Sequence, residues 1–179
     1  MPIPYNSNAP VFQDVEALGH TIIPVKDHGD LTKGQRVLVE YFEKKTSGKR
    51  FANRADLNPM EIVKYIPNVI LLDLVYDDKD QVEDVTFRLF GTEVANFYGD
   101  WTGKSLKGDG LNETHPESNL RLLKEINFIL DTRQSITTVS KHYSNDRPFV
   151  QVDTLKIPFS QNGNAIDMIF MFFEQSSGL

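Results

Sequence analysis

At 179 residues, with 40% hydrophobic residues and 12 phenylalanines, the chain can form one domain with a real core and a short extension. The net charge of −6 argues against a nucleic-acid partner, because phosphate binding needs a basic surface. The absence of cysteine excludes disulfides, cysteine–metal sites and cysteinyl–flavin adducts. The apolar runs are far shorter than the ~20 residues of a membrane helix, so we expect no membrane insertion. Residues 1–20 show no signal-peptide pattern, and together with the absence of cysteine this favours a cytoplasmic location.

Residues 1–31 are predicted to be an extension in front of the domain. Pro2, Pro4 and Pro10 oppose regular structure. Residues 21–25 could be one short strand or an extended arm, and order and disorder are both open because termini fray unless they are tied down. A single domain is expected over residues 32–175, followed by a tail at 176–179.

Two helices are predicted next. Residues 32–45 form the first helix, because Thr32 and Gln35 have capping-box spacing and an apolar stripe follows them. The stripe consists of Val37, Leu38, Tyr41 and Phe42. A second, short helix is predicted after Asn58, which can cap it, and it should end before Pro67.

Residues 69–76 and 85–90 are rich in β-favouring types and are joined by a run of aspartates, which predicts a β-hairpin. With strict alternation, Phe87 lies on one face of the second strand, and Arg88 and Phe90 lie on the other. This hairpin is the unit that the rest of the chain should cover or extend.

A short helix over residues 93–98 should follow, capped by Thr92 and ended by Gly99. A longer amphipathic helix is predicted from a second capping-box pair, Thr114 and Glu117.

The last third predicts an antiparallel meander with strands at residues 134–143, 149–159 and 165–174 and an Asn-Gly turn before the last strand. The last strand is apolar on both faces, so it should be central and covered on both sides. The helices after the hairpin can cover one face of this strand. The other face could be covered by the first helix, the N-terminal arm or a second copy of the chain. This pattern is the reason to expect a homodimer.

The order of these elements resembles a PAS domain, and more closely the bacterial PAS-like family long catalogued as of unknown function. The residues that carry the resemblance are Tyr41-Phe42, Asn53 to Pro59, Ile66 to Asp73, Phe87 to Thr92 and Gly99 to Leu106. It covers about residues 36–174. The resemblance implies an α+β fold with a five-stranded antiparallel sheet of order 2-1-5-4-3. Helices lie between strands 2 and 3, and an additional helix precedes the sheet.

The same resemblance implies candidate residues for a ligand pocket. The pocket candidates are Phe87, Phe90, Phe97, Tyr98, Trp101, Tyr143 and Phe170, with Arg88 and Arg54 as partners for an anionic group. The alternative is that the rings fill the core completely, because protein interiors are close-packed. Arg54 could instead pair with Asp56 as part of a structural loop.

Cofactor motifs are weak. The loop at residues 99–105 has the wrong spacing and context for a phosphate loop, and the four histidines lack metal-site spacing. His115 lies in the first turn of a helix beside Pro116, a poor place for an inward haem ligand. We expect no metal, haem or flavin adduct, and any other cofactor is left open.

Three functions are consistent with the sequence. The first is a non-enzymatic sensory module in bacterial signalling, which acts in trans through a small molecule, a protein partner or both. The second is a purely structural interaction domain with a filled core. The third is a small hydrolase or isomerase, which would need an inward acid–base pair near Asp73, the single polar residue of its strand. Asp73 could instead end a hydrogen-bond network.

Overall fold

The computed structural model of the protein describes residues 20–114, 116–144 and 147–176, and the side chains of these ranges except those of 112, 114, 141–144, 147–150 and 176. The helices are α1 (Lys33–Thr46), α2 (Thr92–Tyr98), α3 (Leu111–Thr114) and α4 (Pro116–Thr132). The strands are β1 (Thr21–Pro24), β2 (Val69–Tyr76), β3 (Val82–Phe90), β4 (Ile136–Ser144), β5 (Arg147–Phe159) and β6 (Met168–Ser176). Short 3-10 helices occupy Arg54–Asp56 and Ile66–Asn68.

All six strands form one antiparallel sheet in the order β1-β4-β5-β6-β2-β3. Without β1, this is the predicted five-stranded order with helices between the hairpin and the meander, so the fold class is confirmed. The difference is β1, which pairs with β4 from Thr21 opposite Val139 to Pro24 opposite Ile136. Of the two alternatives for this segment, the structure therefore has the strand.

The central strand β6 is covered on both faces, as its two-sided apolar pattern predicts. On one face, the Phe42 ring of α1 lies 4.9 Å from the Phe170 ring and 5.1 Å from the Phe159 ring, measured between centroids. On the other face, Ile169 and Phe173 belong to the apolar cluster that includes α4. Because α1 supplies the second cover, the pattern no longer gives a reason to expect a second copy of the chain.

The first helix begins as its capping pair predicts. The Thr32 side chain accepts from the Gln35 amide, and the Gln35 side chain accepts from the Thr32 amide. The Thr32 hydroxyl also donates to Glu174 of β6. A methyl group on Gly34 would come within 2.6 Å of Glu174 Oε1, so the glycine permits α1 to lie directly on the sheet.

The alternation predicted for β3 is wrong beyond Phe87. Leu71 pairs with Leu89 and Leu72 pairs with Phe87, which leaves Arg88 as the extra residue of a β-bulge. A bulge shifts the alternation of side chains by one position, so Phe90 turns to the same face as Phe87. This face is the one that α2 and α4 cover.

The predicted helix between Asn58 and Pro67 is also wrong, because residues 59–65 form consecutive turns. Their backbone hydrogen bonds span three residues, for example from the Tyr65 amide to the Ile62 carbonyl. The segment is too short to offset the cost of nucleating an α-helix. The next predicted helix starts one residue early, since Gly91 is its cap and Thr92 its first residue.

The capping pair predicted for the long helix involves the Thr114 side chain, which lies outside the description, as does His115. No helix in the described ranges combines the length and the apolar composition needed to cross a membrane.

Candidate functional site

A cavity of about 70 Å³ lies between α4, the α2 region and the face of the sheet that carries Phe87. Its wall is aromatic on the side of β3 and α2 and polar on the side of α4, β4 and β5. Its lining includes Phe87, Phe90, Tyr98, Trp101, Arg121, Glu125, Thr138, Val152, Thr154 and Lys156. A closed apolar core would need none of these charged side chains, so this region differs from simple core packing.

The aromatic wall is held together by contacts between rings. The centroids of Phe87 and Trp101 are 5.2 Å apart, those of Phe90 and Trp101 are 5.6 Å apart, and those of Tyr98 and Trp101 are 6.1 Å apart. Trp101 is positioned by the loop after α2, which runs along β3. The Phe87 amide donates to the Lys104 carbonyl at 2.9 Å, and the Gly103 amide donates to the Phe87 carbonyl at 2.7 Å. The bulge at Arg88 brings Phe90 into this wall.

The polar wall is centred on an ion pair between α4 and β5. Lys156 Nζ lies 2.8 Å from Glu125 Oε2, and the other carboxylate oxygen, Oε1, lies 2.7 Å from His20 Nε2. Lys156 is 0% exposed and Glu125 is 5% exposed. Lys156 also donates to the Thr154 hydroxyl, which is hydrogen-bonded to the Thr138 hydroxyl. Helix and sheet are therefore joined by charge as well as by apolar contact.

Burial and charge act in opposite directions on this pair. Burial would raise the pKa of Glu125, but the Lys156 ammonium and the His20 ring lower that pKa to about 2. Burial lowers the pKa of Lys156, and Glu125 opposes that shift. Burial also raises the pKa of Tyr98, whose hydroxyl thus stays protonated at neutral pH. The cavity therefore contains an ionised carboxylate opposite a set of neutral aromatic rings.

The structure places four of the nine predicted pocket residues at the cavity. Phe87, Phe90, Tyr98 and Trp101 line the cavity, and their role in ligand binding stays a prediction. Phe97 packs beside the cavity, with its ring 5.6 Å from Phe173 and 4.6 Å from Tyr98. The side chain of Tyr143 lies outside the described part of the structure.

Three other candidates lie away from the cavity. Phe170 faces α1 on the opposite side of the sheet, because odd-numbered residues of β6 face the cavity. Arg88 is directed outward by the bulge, and its Nε lies 2.8 Å from Asp73 Oδ2 on the exposed surface. Arg54 is exposed, and its guanidinium donates to the Leu57 carbonyl at 3.3 Å, which supports the loop alternative.

Asp73 itself is the end of a hydrogen-bonded pair with Arg88 rather than a buried acid. The inward acid is Glu125, which the sequence reasoning missed together with Lys156, Arg121 and His20. The sequence contains an indication for two of these residues, Glu125 and Lys156. Glu125 lies three residues after Leu122 and four before Ile129, within the apolar stripe of α4. Lys156 alternates with Val152 and Thr154 on one face of β5.

Among the residues that the structure describes, no group of three or more histidine or acidic side chains is arranged to hold a metal ion. The polar wall is a salt-bridged cluster and not a ligand set of that kind.

Comparison with known proteins identifies a family and a similar solved structure. A family model described as "PAS domain" matches residues 32–171. No curated protein matches. Among solved structures, an RNA-binding light-oxygen-voltage receptor is similar with a TM-score of 0.47 and 10% identity over 87% of this chain. The match covers 38% of the receptor chain, so this protein spans less than half of that relative. PAS domains are in general sensory, non-catalytic modules. With the family match over most of its length and the predicted strand order in place, the chain belongs to the PAS domain family.

Proposed function

We propose that this PAS domain is a sensory module that binds a small molecule in the cavity beneath α4 and passes the signal in trans to a protein partner in bacterial signalling. The observation that carries the proposal is the polar wall. Buried charged side chains that face a cavity cost more than apolar ones unless they have a function or a full set of partners. Aromatic walls with a few converging polar groups are typical of small-ligand sites.

The position of the cavity also supports the proposal. Its walls come from α4 and from the α2 region, which together cover one face of the sheet. A molecule that enters would therefore contact both helical segments at once. A ligand changes a protein only through different contacts with its two states, and a wall shared by two helical segments and the sheet can provide such contacts. We propose no nucleic acid as partner because of the net charge of −6.

The test is native mass spectrometry of the whole protein purified from its own host without denaturation. We expect an excess mass that is lost on denaturation. The matched variants are Val152→Phe, which fills the cavity from β5, and Ile157→Phe, which adds the same ring to the opposite face of the same strand. Only Val152→Phe should remove the excess mass. A wild-type chain without excess mass, or loss of the excess mass in both folded variants, would contradict the proposal.

A second candidate is a structural interaction domain, which differs from a ligand sensor because it would dimerise without a ligand. It is favoured by the exposure of Met60 at 78% and Val63 at 61%, two apolar side chains on the same turn segment. Here the expected homodimer would form without a ligand. Light scattering of the ligand-free protein at high concentration should then give twice the monomer mass, whereas a monomer would remove this candidate.

A further inference from the structure

A groove of about 250 Å³ lies between α1, the segment that follows it and the start of β4. It shares no lining residue with the cavity beneath α4. Its lining includes the polar side chains of Arg50, Arg133, Gln134 and Ser135 and the apolar side chains of Val39, Phe42 and Ile157. The groove therefore offers a small molecule both polar and apolar contacts at a place separate from the cavity.

Two arginines of this groove converge on the ring of Phe51. The guanidinium carbon of Arg50 lies 5.3 Å from the ring centroid, and that of Arg133 lies 4.9 Å from it. The two carbons are therefore at most about 10 Å apart, a span that one tetrahedral anion can bridge with N–H···O contacts of about 2.9 Å on each side. The ring itself is fixed, because Phe51 is 5% exposed and the next residue, Ala52, forms a bridge with Phe159 of β5.

Both guanidinium groups have donors to spare. A guanidinium has five N–H donors. Within the described ranges, Arg50 is exposed and has no hydrogen-bond or ion-pair partner, and its recorded contact is the Phe51 ring. Arg133 donates to the Asn164 carbonyl, and its buried Nε has no partner among the same residues. The one carboxylate in the described lining is Glu43, which already interacts with His28 Nε2 at 3.1 Å.

The backbone of Arg133 is an independent indication of function. Its φ is +57°, in the left-handed region that favours glycine. Its amide donates to the Ile129 carbonyl at 2.7 Å, so this residue ends α4. A glycine would end the helix at a lower conformational cost. Unfavourable backbone conformations of this kind concentrate at functional sites, and the arginine side chain at this position therefore needs a reason beyond helix termination.

The volume and the charge of the groove define the class of ligand. A cavity of ~150 Å³ holds benzene, so a groove of about 250 Å³ suits a molecule of about ten non-hydrogen atoms. Two cationic forks are matched better by a dianion than by a single carboxylate. A phosphate monoester carries a charge of about −1.5 to −2 at pH 7 and three terminal acceptor oxygens, whereas a carboxylate has one charge and two oxygens.

We propose that this groove binds a small organic phosphate monoester. Its phosphoryl group lies between Arg50 and Arg133, and its organic part packs against Val39, Phe42 and Ile157. The planar guanidinium fork matches phosphate oxygens in pairs, which gives geometric specificity as well as charge. The site is additional to the cavity beneath α4, and the inference does not rest on the function proposed for that cavity.

The experiment titrates the full-length protein with phenyl phosphate and glycerol phosphate, and with phenyl sulfate, phenol and inorganic phosphate as comparisons, at constant pH and ionic strength. Phenyl sulfate has the shape of phenyl phosphate with one charge fewer. Amide chemical shifts give the affinity and the place of binding. We expect saturable shifts at residues 50–52 and 133–135 with the monoesters, and binding of the comparison compounds weaker by about tenfold or more.

Each other outcome contradicts a stated part of the inference. No saturable shift with either monoester would overturn the site. Phenyl sulfate that binds as tightly as phenyl phosphate would overturn the dianion argument. Inorganic phosphate that binds as tightly as the monoesters would overturn the contact with an organic part.

Charge variants test the two arginines. Arg50→Gln and Arg133→Gln should each weaken phenyl phosphate binding by about tenfold or more. The matched control is Arg36→Gln, which removes an exposed charge of α1 outside the groove and should leave the affinity unchanged. Arg133→Gln also loses the contact with Asn164 and could fail to fold. Arg50→Gln has no such contact, and an unchanged affinity in this folded variant would overturn the inference.

Two further variants separate the groove from the cavity. Glu43→Gln removes the carboxylate of the groove and should tighten phenyl phosphate binding. Val152→Phe, which fills the cavity, should leave that binding unchanged because Val152 does not line the groove. Loss of phenyl phosphate binding in folded Val152→Phe would place the anion in the cavity and overturn the groove as its site.

Discussion

His20 Nε2 lies 2.7 Å from Glu125 Oε1, although the two residues are 105 positions apart in the chain. The imidazole is 1% exposed and comes directly before β1, while Glu125 is part of the cavity wall. The second carboxylate oxygen of Glu125 binds Lys156. The Glu125 carboxylate therefore connects the segment before β1, the helix α4 and the cavity wall. A substitution that displaces this carboxylate is expected to alter the packing of all three.

The first prediction concerns this link. His20→Ala should lower the free energy of unfolding by about 1.5–3 kcal/mol, the usual range for a hydrogen bond to a charged group. It should also speed hydrogen exchange of the amides in β1. The control is His28→Ala, because His28 forms its ion pairs with Glu40 and Glu43 on the exposed surface of α1. Urea unfolding curves with the same effect for both variants would contradict the anchoring role.

The second prediction is the pH dependence of Glu125. Its pKa is about 2 in the folded protein, against 4.5 for a free glutamate. A lowered carboxyl pKa stabilises the fold fully above pH 4.5, and this stabilisation is lost as the pH falls from 4.5 to 2. At about 1.4 kcal/mol per pKa unit, the contribution is of order 3 kcal/mol.

Urea unfolding at several pH values between 7 and 2 checks this sign. The stability difference between the wild type and Glu125→Gln should be largest above pH 4.5 and should shrink below it. The control is Glu61→Gln, because the Glu61 side chain and its partner Lys45 are both on the surface. A difference that stays constant down to pH 2 would show that the ion pair does not titrate in this interval.

The third prediction concerns the junction between β3 and α2. A methyl group on Gly91 would lie 2.3 Å from the Pro67 carbonyl oxygen, which is backbone and cannot move aside cheaply. Gly91→Ala should therefore cost about 3 kcal/mol. Gly103→Ala should cost only about 1–2 kcal/mol, because its φ of +80° disfavours a side chain but nothing lies within 4 Å. Equal unfolding midpoints for the two variants would refute the steric argument.

The fourth prediction concerns the surface pair that the bulge creates. Arg88 is 55% exposed at its side chain, so its pair with Asp73 should contribute less than about 1 kcal/mol in a double-mutant cycle of Asp73→Asn and Arg88→Ala. Neither change should affect ligand binding, since both side chains lie outside the cavity. A coupling well above that limit, or loss of the bound excess mass in Arg88→Ala, would contradict the outward position of Arg88.

Local patterns predicted the elements better than the site. The start of α1 follows from Thr32 and Gln35, and the central place of β6 follows from its two apolar faces, because each depends on neighbours in sequence. Which face of β6 borders the cavity could not be predicted in the same way. A strand that is apolar on both faces does not indicate which face borders the helices α2 and α4, and the pocket candidate Phe170 lies on the face that α1 covers.

The cavity chemistry depended on contacts between distant segments. Whether Phe90 joins Phe87 is decided by the register of β3 against β2, which a bulge changes at Arg88 without any glycine or proline to mark it. The pairing of Glu125 with Lys156 and His20 joins three elements, and a charged residue in an apolar stripe predicts burial only once its partner is known.

The edge strand has a consequence for association between copies of the chain. An open sheet edge exposes unpaired backbone groups and invites other strands to add to it. Here β1 covers the edge of β4 with only four residues and ends in Pro24, which has no amide hydrogen to donate. Short strands and prolines are devices that limit further pairing. The link between His20 and Glu125 thus also protects the protein from aggregation along this side, and its loss would expose β4 as a template for edge-to-edge growth.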